Sequence, residues 1–121
     1  MIIILDFYIK NNDEETSKNN IKYKLINNKL IFNIDDDNYS VERKNNVQIR
    51  KENTESILDF NYINNKETIG TYYIKELNFY MDARIKTNKL ISDDNNIEID
   101  YELYLQDEYI GNFKIKIIVK E

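Results

Sequence analysis

A chain of 121 residues without cysteine or histidine has enough material for one core but not two. It must build that core with no disulfide or thiolate nucleophile, few routes to zinc, and without the commonest general base. Lys and Arg number 17 against 22 Asp and Glu, a net charge of −5 that opposes binding to a phosphate backbone and argues against a nucleic-acid partner.

The apolar opening at residues 1–5 has no basic lead and meets Asp6 at once. It is too short for a signal peptide or a membrane span, so the expectation is a cytoplasmic protein with no membrane partner. Residues 2–10 read as a first strand, with Ile3, Leu5, Phe7 and Ile9 on one face and Ile2, Ile4 and Tyr8 on the other, which suggests cover on both sides. Residues 11–20 are polar and without periodicity, the longest loop candidate together with 89–96. Asn-Asn pairs then punctuate the chain at Asn27-Asn28, Asn45-Asn46, Asn64-Asn65 and Asn95-Asn96. Asparagine is the residue other than glycine that best tolerates positive φ, which a tight hairpin requires, and the chain offers only Gly70 and Gly111 besides. The apolar segments set off by these turns are 21–26, 30–35, 39–44, 47–51, 56–63 and 68–74.

From residue 77 to 119 three segments keep strict two-residue alternation. Leu77, Phe79, Met81, Ala83, Ile85 and Thr87 share one face. Ile97, Ile99, Tyr101, Leu103 and Leu105 do so next, then Phe113, Ile115, Ile117 and Val119. A helix is the rival for the first segment, but its Tyr, Phe and Thr favour strands. Opposed residues must share a face. Pairing Ile85 with Ile99 sets Arg84 against Asp100, and pairing Tyr101 with Ile115 sets Glu102 against Lys114, with the acidic strand between two basic ones. Consecutive hairpins with no proline and no helix-forming segment to cover a sheet predict a single all-β domain over residues 1–121. It is an antiparallel up-and-down barrel of roughly eight to ten strands, closed so that it has no edge.

Acidic pairs such as Asp35 with Asp37, or Asp93 with Asp94, fall in predicted turns and lack the spacing of a calcium loop. No metal, cofactor or catalytic residue is assigned. Three residues are candidates for holding a small ligand: Tyr101 and Thr87, whose hydroxyls share the apolar face, and Arg50, a charged lip if it turns inward, although Val47 and Ile49 point it outward. Bulky Phe79, Met81, Leu103 and Phe113 should fill the end near the last hairpin. Any cavity is therefore expected towards Ala83, Thr87 and residues 89–96.

Val47-Gln48-Ile49-Arg50, Leu58-Asp59-Phe60, Thr87-x-x-Leu90 and Ile97-x-Ile99-x-Tyr101-x-Leu103 together resemble the YwiB-like family of small bacterial proteins, whose domain has no known function. Glu52 stands where that family has glycine, and its Thr-Pro-x-Gly turn has no counterpart before Phe79. The resemblance implies a calycin-like, or lipocalin-like, barrel and leaves the activity open. Two uses are expected ahead of an enzyme: a barrel with a small ligand in its mouth, or a protein-interaction or oligomerisation module with a filled barrel.

Overall fold

The two-residue alternation runs through nearly the whole chain and folds it into ten strands, described over residues 3–44 and 46–120 of a computed structural model. They are β1 (Ile4–Asn11), β2 (Glu14–Ile26), β3 (Lys29–Ile34), β4 (Asp37–Arg43), β5 (Val47–Glu52), β6 (Ser56–Tyr62), β7 (Glu67–Ile74), β8 (Phe79–Ser92), β9 (Asn96–Leu105) and β10 (Glu108–Val119). Each pairs antiparallel with the next, and β1 closes the ring on β10 from Leu5 opposite Val119 to Asn11 opposite Phe113. The expected up-and-down barrel is therefore the fold, with all ten strands in the closed ring. Among the described residues no helix is long and apolar enough to cross a membrane.

Asparagine does make left-handed turns, though not at every pair. Asn27 and Asn28 both have positive φ, at 51° and 67°, as the β2–β3 hairpin requires. At Asn64-Asn65 only Asn65 is left-handed. At Asn95-Asn96 neither is, because the Asp93 carboxylate accepts both of their amides, at 3.0 and 2.8 Å, and closes the turn instead. Asn45 lies outside the described residues, as do Met1 and Ile2, while the Lys44 amide donates to the Asn46 carbonyl at 3.0 Å. Left-handed residues also occur at Asn12, Asn20, Asn78, Asp35 and the Gln106-Asp107 pair, the last two places without an asparagine.

Both loop expectations are corrected. Residues 14–20 belong to β2, paired with β1 from Glu14 to Lys22, and both faces are exposed there, so no core imprints a period on them. The stretch 89–96 is also mostly strand, since β8 runs on to Ser92. A bulge at Asn88 shifts the phase, so that Leu90 rather than Lys89 packs on the core. The spacing of Thr87-x-x-Leu90 requires that bulge. The outer face of β1, expected to be covered, is only half-buried because the barrel has no second layer.

The faces of β8, β9 and β10 are as the alternation sets them, but both registers slide by an even step. Ile85 opposes Leu103 rather than Ile99, and Tyr101 opposes Phe113 rather than Ile115. An even slide leaves every side chain on its face, so burial alone cannot choose between them. Charge pairing survives with other partners: Lys86 opposes Glu102, and Asp100 lies between Lys89 and Lys114.

The core is set towards one end of the barrel. Leu5, Leu30, Val41, Val47, Ile85, Ile97 and Ile117 are fully buried there. Across this end Arg43 of β4 donates through Nη1 to the carbonyls of Asp93 (3.1 Å) and Asp94 (2.9 Å) in the β8–β9 turn, strapping opposite walls together. At the other end, where residues 12–13, 35–36, 53–55, 75–78 and 106–107 make the turns, Ile9, Tyr39, Leu58, Leu105 and Phe113 are only partly buried.

Candidate functional site: the open end of the barrel

Alternation alone carries side chains into this open end. In β5, Val47 and Ile49 are core, so Lys51 follows them inward, opposite Tyr39 of β4 and Leu58 of β6. Leu58, Phe60 and Tyr62 face in from β6, Phe7 and Ile9 from β1, and Tyr101 and Ile115 from β9 and β10. Between them lies a depression of about 60 Å³, room for about two waters. The expected cavity near Thr87 and residues 89–96 is found only in part: the interior beside Thr87 is packed, but a polar cleft of about 230 Å³ opens at that end beside Leu25, Arg43, Ser92 and Asp94, while the end near the last hairpin carries the aromatic depression. Phe79 and Met81 do not plug it, because β8 runs past the end of β9 before reaching them. Ala83 already opposes the last residue of β9, Leu105, and Phe79 is 45% exposed.

The walls are aromatic. Phe7 packs on Tyr39 with ring centroids 5.1 Å apart, Tyr39 stacks on Phe32 at 5.1 Å, and Tyr62 meets Tyr101 edge-on at 4.8 Å. Burial raises all three phenols above the ordinary tyrosine range. Tyr101 is pushed up to about 12, with the adjoining Tyr62 hydroxyl pulling the other way. For Tyr39 the Asp37 carboxylate adds to burial, and for Tyr62 the Tyr101 ring does. These hydroxyls therefore stay protonated and can donate a hydrogen bond, but none is poised to act as a base at neutral pH.

Lys51 is the one cation on the lining, and it takes part in none of the ion pairs among the described residues. The neighbouring carboxylates are engaged elsewhere. Glu52 points outward to Lys75 at 2.9 Å and to Arg50 at 3.6 Å, and Asp37 accepts from Asn53 Nδ2 at 2.9 Å.

The three sequence candidates are not brought together. Tyr101 lines the depression. Thr87 opposes Tyr101 and is 1% exposed, yet it does not reach the lining, and its Oγ1 has no hydrogen-bond partner among the described residues. Arg50 is on the outer wall, 3.6 Å from Glu52 and 3.9 Å from Asp59 and half-exposed, so it is not a lip of the barrel. Reading one position beyond Arg50 would have found Lys51, which the Val47, Ile49 alternation already aims inward. A wider cleft of about 880 Å³ opens where β2 leaves β3, lined by Ile3 and by Ile21, Tyr23 and Phe32, which pack on or in the core.

No protein-family model matches the sequence, and no curated protein does. Among solved structures the chain is similar to the ywiB protein from Bacillus subtilis, with a TM-score of 0.55 and 11% identity over 98% of this chain and 90% of that one. At that identity the likeness is one of fold, and the chain shares a YwiB-like barrel.

Proposed function

We propose that this protein is a small-molecule-binding barrel of calycin-like type whose site is the open end, lined by Tyr39, Lys51, Leu58, Tyr62 and Tyr101. One observation carries the proposal: an inward lysine with no carboxylate partner among the described residues, beside two buried phenols and the partly buried Tyr39, on the rim of a depression the protein does not fill. A barrel serving only as a scaffold would be lined as well by an apolar side chain at this partly buried position, where the ammonium forms no ion pair among the described residues. The proposal keeps the bacterial, cytoplasmic setting expected from the sequence, and the net charge of −5 keeps nucleic acid out of it. No catalytic role is proposed, because raised phenols and one lysine make no acid–base pair.

Native mass spectrometry of the protein purified from its own host tests the proposal. The expected result is a co-purifying small molecule that is lost when Leu58→Trp fills the depression. An empty wild type that instead captures a single protein partner would overturn it.

The runner-up is an interaction module, favoured by the β7–β8 hairpin. That hairpin projects past β9, where the Gln106 amide donates to the Asp82 carbonyl at 3.1 Å, and it exposes Leu77 and Tyr80 at 69% and 63%.

A further inference from the structure

We infer that the open end selects small organic monoanions, with Lys51 as the anchor for a carboxylate and the aromatic depression as the seat for a short apolar body. This rests on the ligand-binding reading above and names the ligand class.

Charge comes first. Lys51 faces inward between Tyr39 and Leu58, its partners across the sheet, and no carboxylate of the described residues forms an ion pair with it. The one acid that faces the same end from the adjoining strand, Asp37, is held by Asn53. An ammonium so placed is completed by an anion from outside, and a carboxylate gives it a charge-assisted hydrogen bond. The hydroxyls of Tyr62 and Tyr101 remain protonated and adjoin one another, so they add hydrogen-bonding capacity without charge, and the preference for an anion rests on Lys51.

Size comes second. The depression holds about 60 Å³, against the roughly 300 to 1,000 Å³ of pockets that enclose a drug-sized ligand. Leu5, Leu30, Val41, Ile85, Ile97 and Ile117, all fully buried, fill the barrel beyond it. A long acyl chain or a polycyclic ligand therefore has no room at this end. What fits is a ring edge or a short branched chain against Phe7, Ile9 and Leu58, with the carboxylate at the rim.

Benzoate and its neutral isostere benzamide separate the two components when each is titrated against isotope-labelled protein and the backbone amide shifts are followed. Both should shift the amides of Tyr39, Lys51 and Leu58, with benzoate binding about tenfold more tightly, as expected for one charge-assisted contact. In Lys51→Met, benzamide should bind as before and the preference for benzoate should vanish. Equal binding of the two by the wild type, or a preference that persists in Lys51→Met, would overturn the inference while leaving the ligand-binding reading intact. If neither compound shifts those amides, both readings fall. Because the wild-type ratio is itself decisive, the result does not depend on the variant folding.

Discussion

Tyrosine hydroxyls buried in an apolar barrel are a liability at high pH, and the direction follows from their environment. Burial raises Tyr39, Tyr62 and Tyr101 above the ordinary phenol value near 10, Tyr101 to about 12. Above pH 10 the unfolded chain gives up these protons while the folded chain keeps them, so the native state binds more protons and loses stability as pH rises. The contribution is complete below pH 10 and drains away towards pH 12 and beyond, at about 1.4 kcal/mol per pH unit for each phenol. The phenolate absorbance of these three rings should therefore appear together with the loss of β-sheet circular dichroism, and Tyr101→Phe should move that transition to higher pH. A smooth titration with the sheet intact would mean that the rings reach solvent. Lys51 makes the complementary point, because its position followed from two-residue alternation, whereas the absence of a partner for it did not. That absence depends on Glu52 turning outward to Lys75, a contact between residues 23 apart in the chain, which no local pattern records.

Strand faces were legible in the sequence because burial on one side of a pleated sheet leaves a period of two. Ile97, Ile99, Tyr101 and Leu103 are core just as their spacing demands. Registers were not legible, since an even slide costs nothing in face matching and the turn chemistry decides it. The β9–β10 hairpin shows why. Its two central residues, Gln106 and Asp107, have φ of 50° and 66°, a conformation that asparagine or glycine signals and glutamine does not. A glutamine held there costs on the order of 1 kcal/mol. Gln106→Gly should therefore stabilise the protein by about 0.5 to 1 kcal/mol, read as a higher urea midpoint with an unchanged slope. The same substitution at Asn27, already tolerant of φ 51°, should change stability by a few tenths of a kcal/mol at most. A loss of stability in Gln106→Gly would mean that the glutamine side chain makes a contact worth more than its strain. The polar run 14–20 was illegible for the opposite reason: it is a strand with no buried face, whose backbone pairs with β1 and not with β3.

At the scale of the whole molecule the barrel is asymmetric, and that asymmetry lets one fold be both stable and open. One end is filled to complete burial and strapped by Arg43, which spans from β4 to the β8–β9 turn. The other end ends in uneven hairpins, and β8 continues to Phe79 without β9 beside it. Free energies of local opening should follow this gradient. Amides of Leu30, Val41, Ile97 and Ile117 that lie within ladders should exchange with solvent only through global unfolding. Residues 14–20 of β2 pair on one side only, and their amides facing away from β1 should exchange fastest. Arg43→Ala removes two hydrogen bonds to backbone carbonyls at an exposed site, which is worth about 1 kcal/mol, or roughly a fivefold acceleration of local exchange. That acceleration should be confined to the β8–β9 turn and the ends of β4 and β5, with the amides around Tyr39 and Leu58 unchanged. If Arg43→Ala instead speeds exchange evenly around the barrel, the two ends open as one unit, and a rigid closed end supporting an adaptable mouth is the wrong description of this protein.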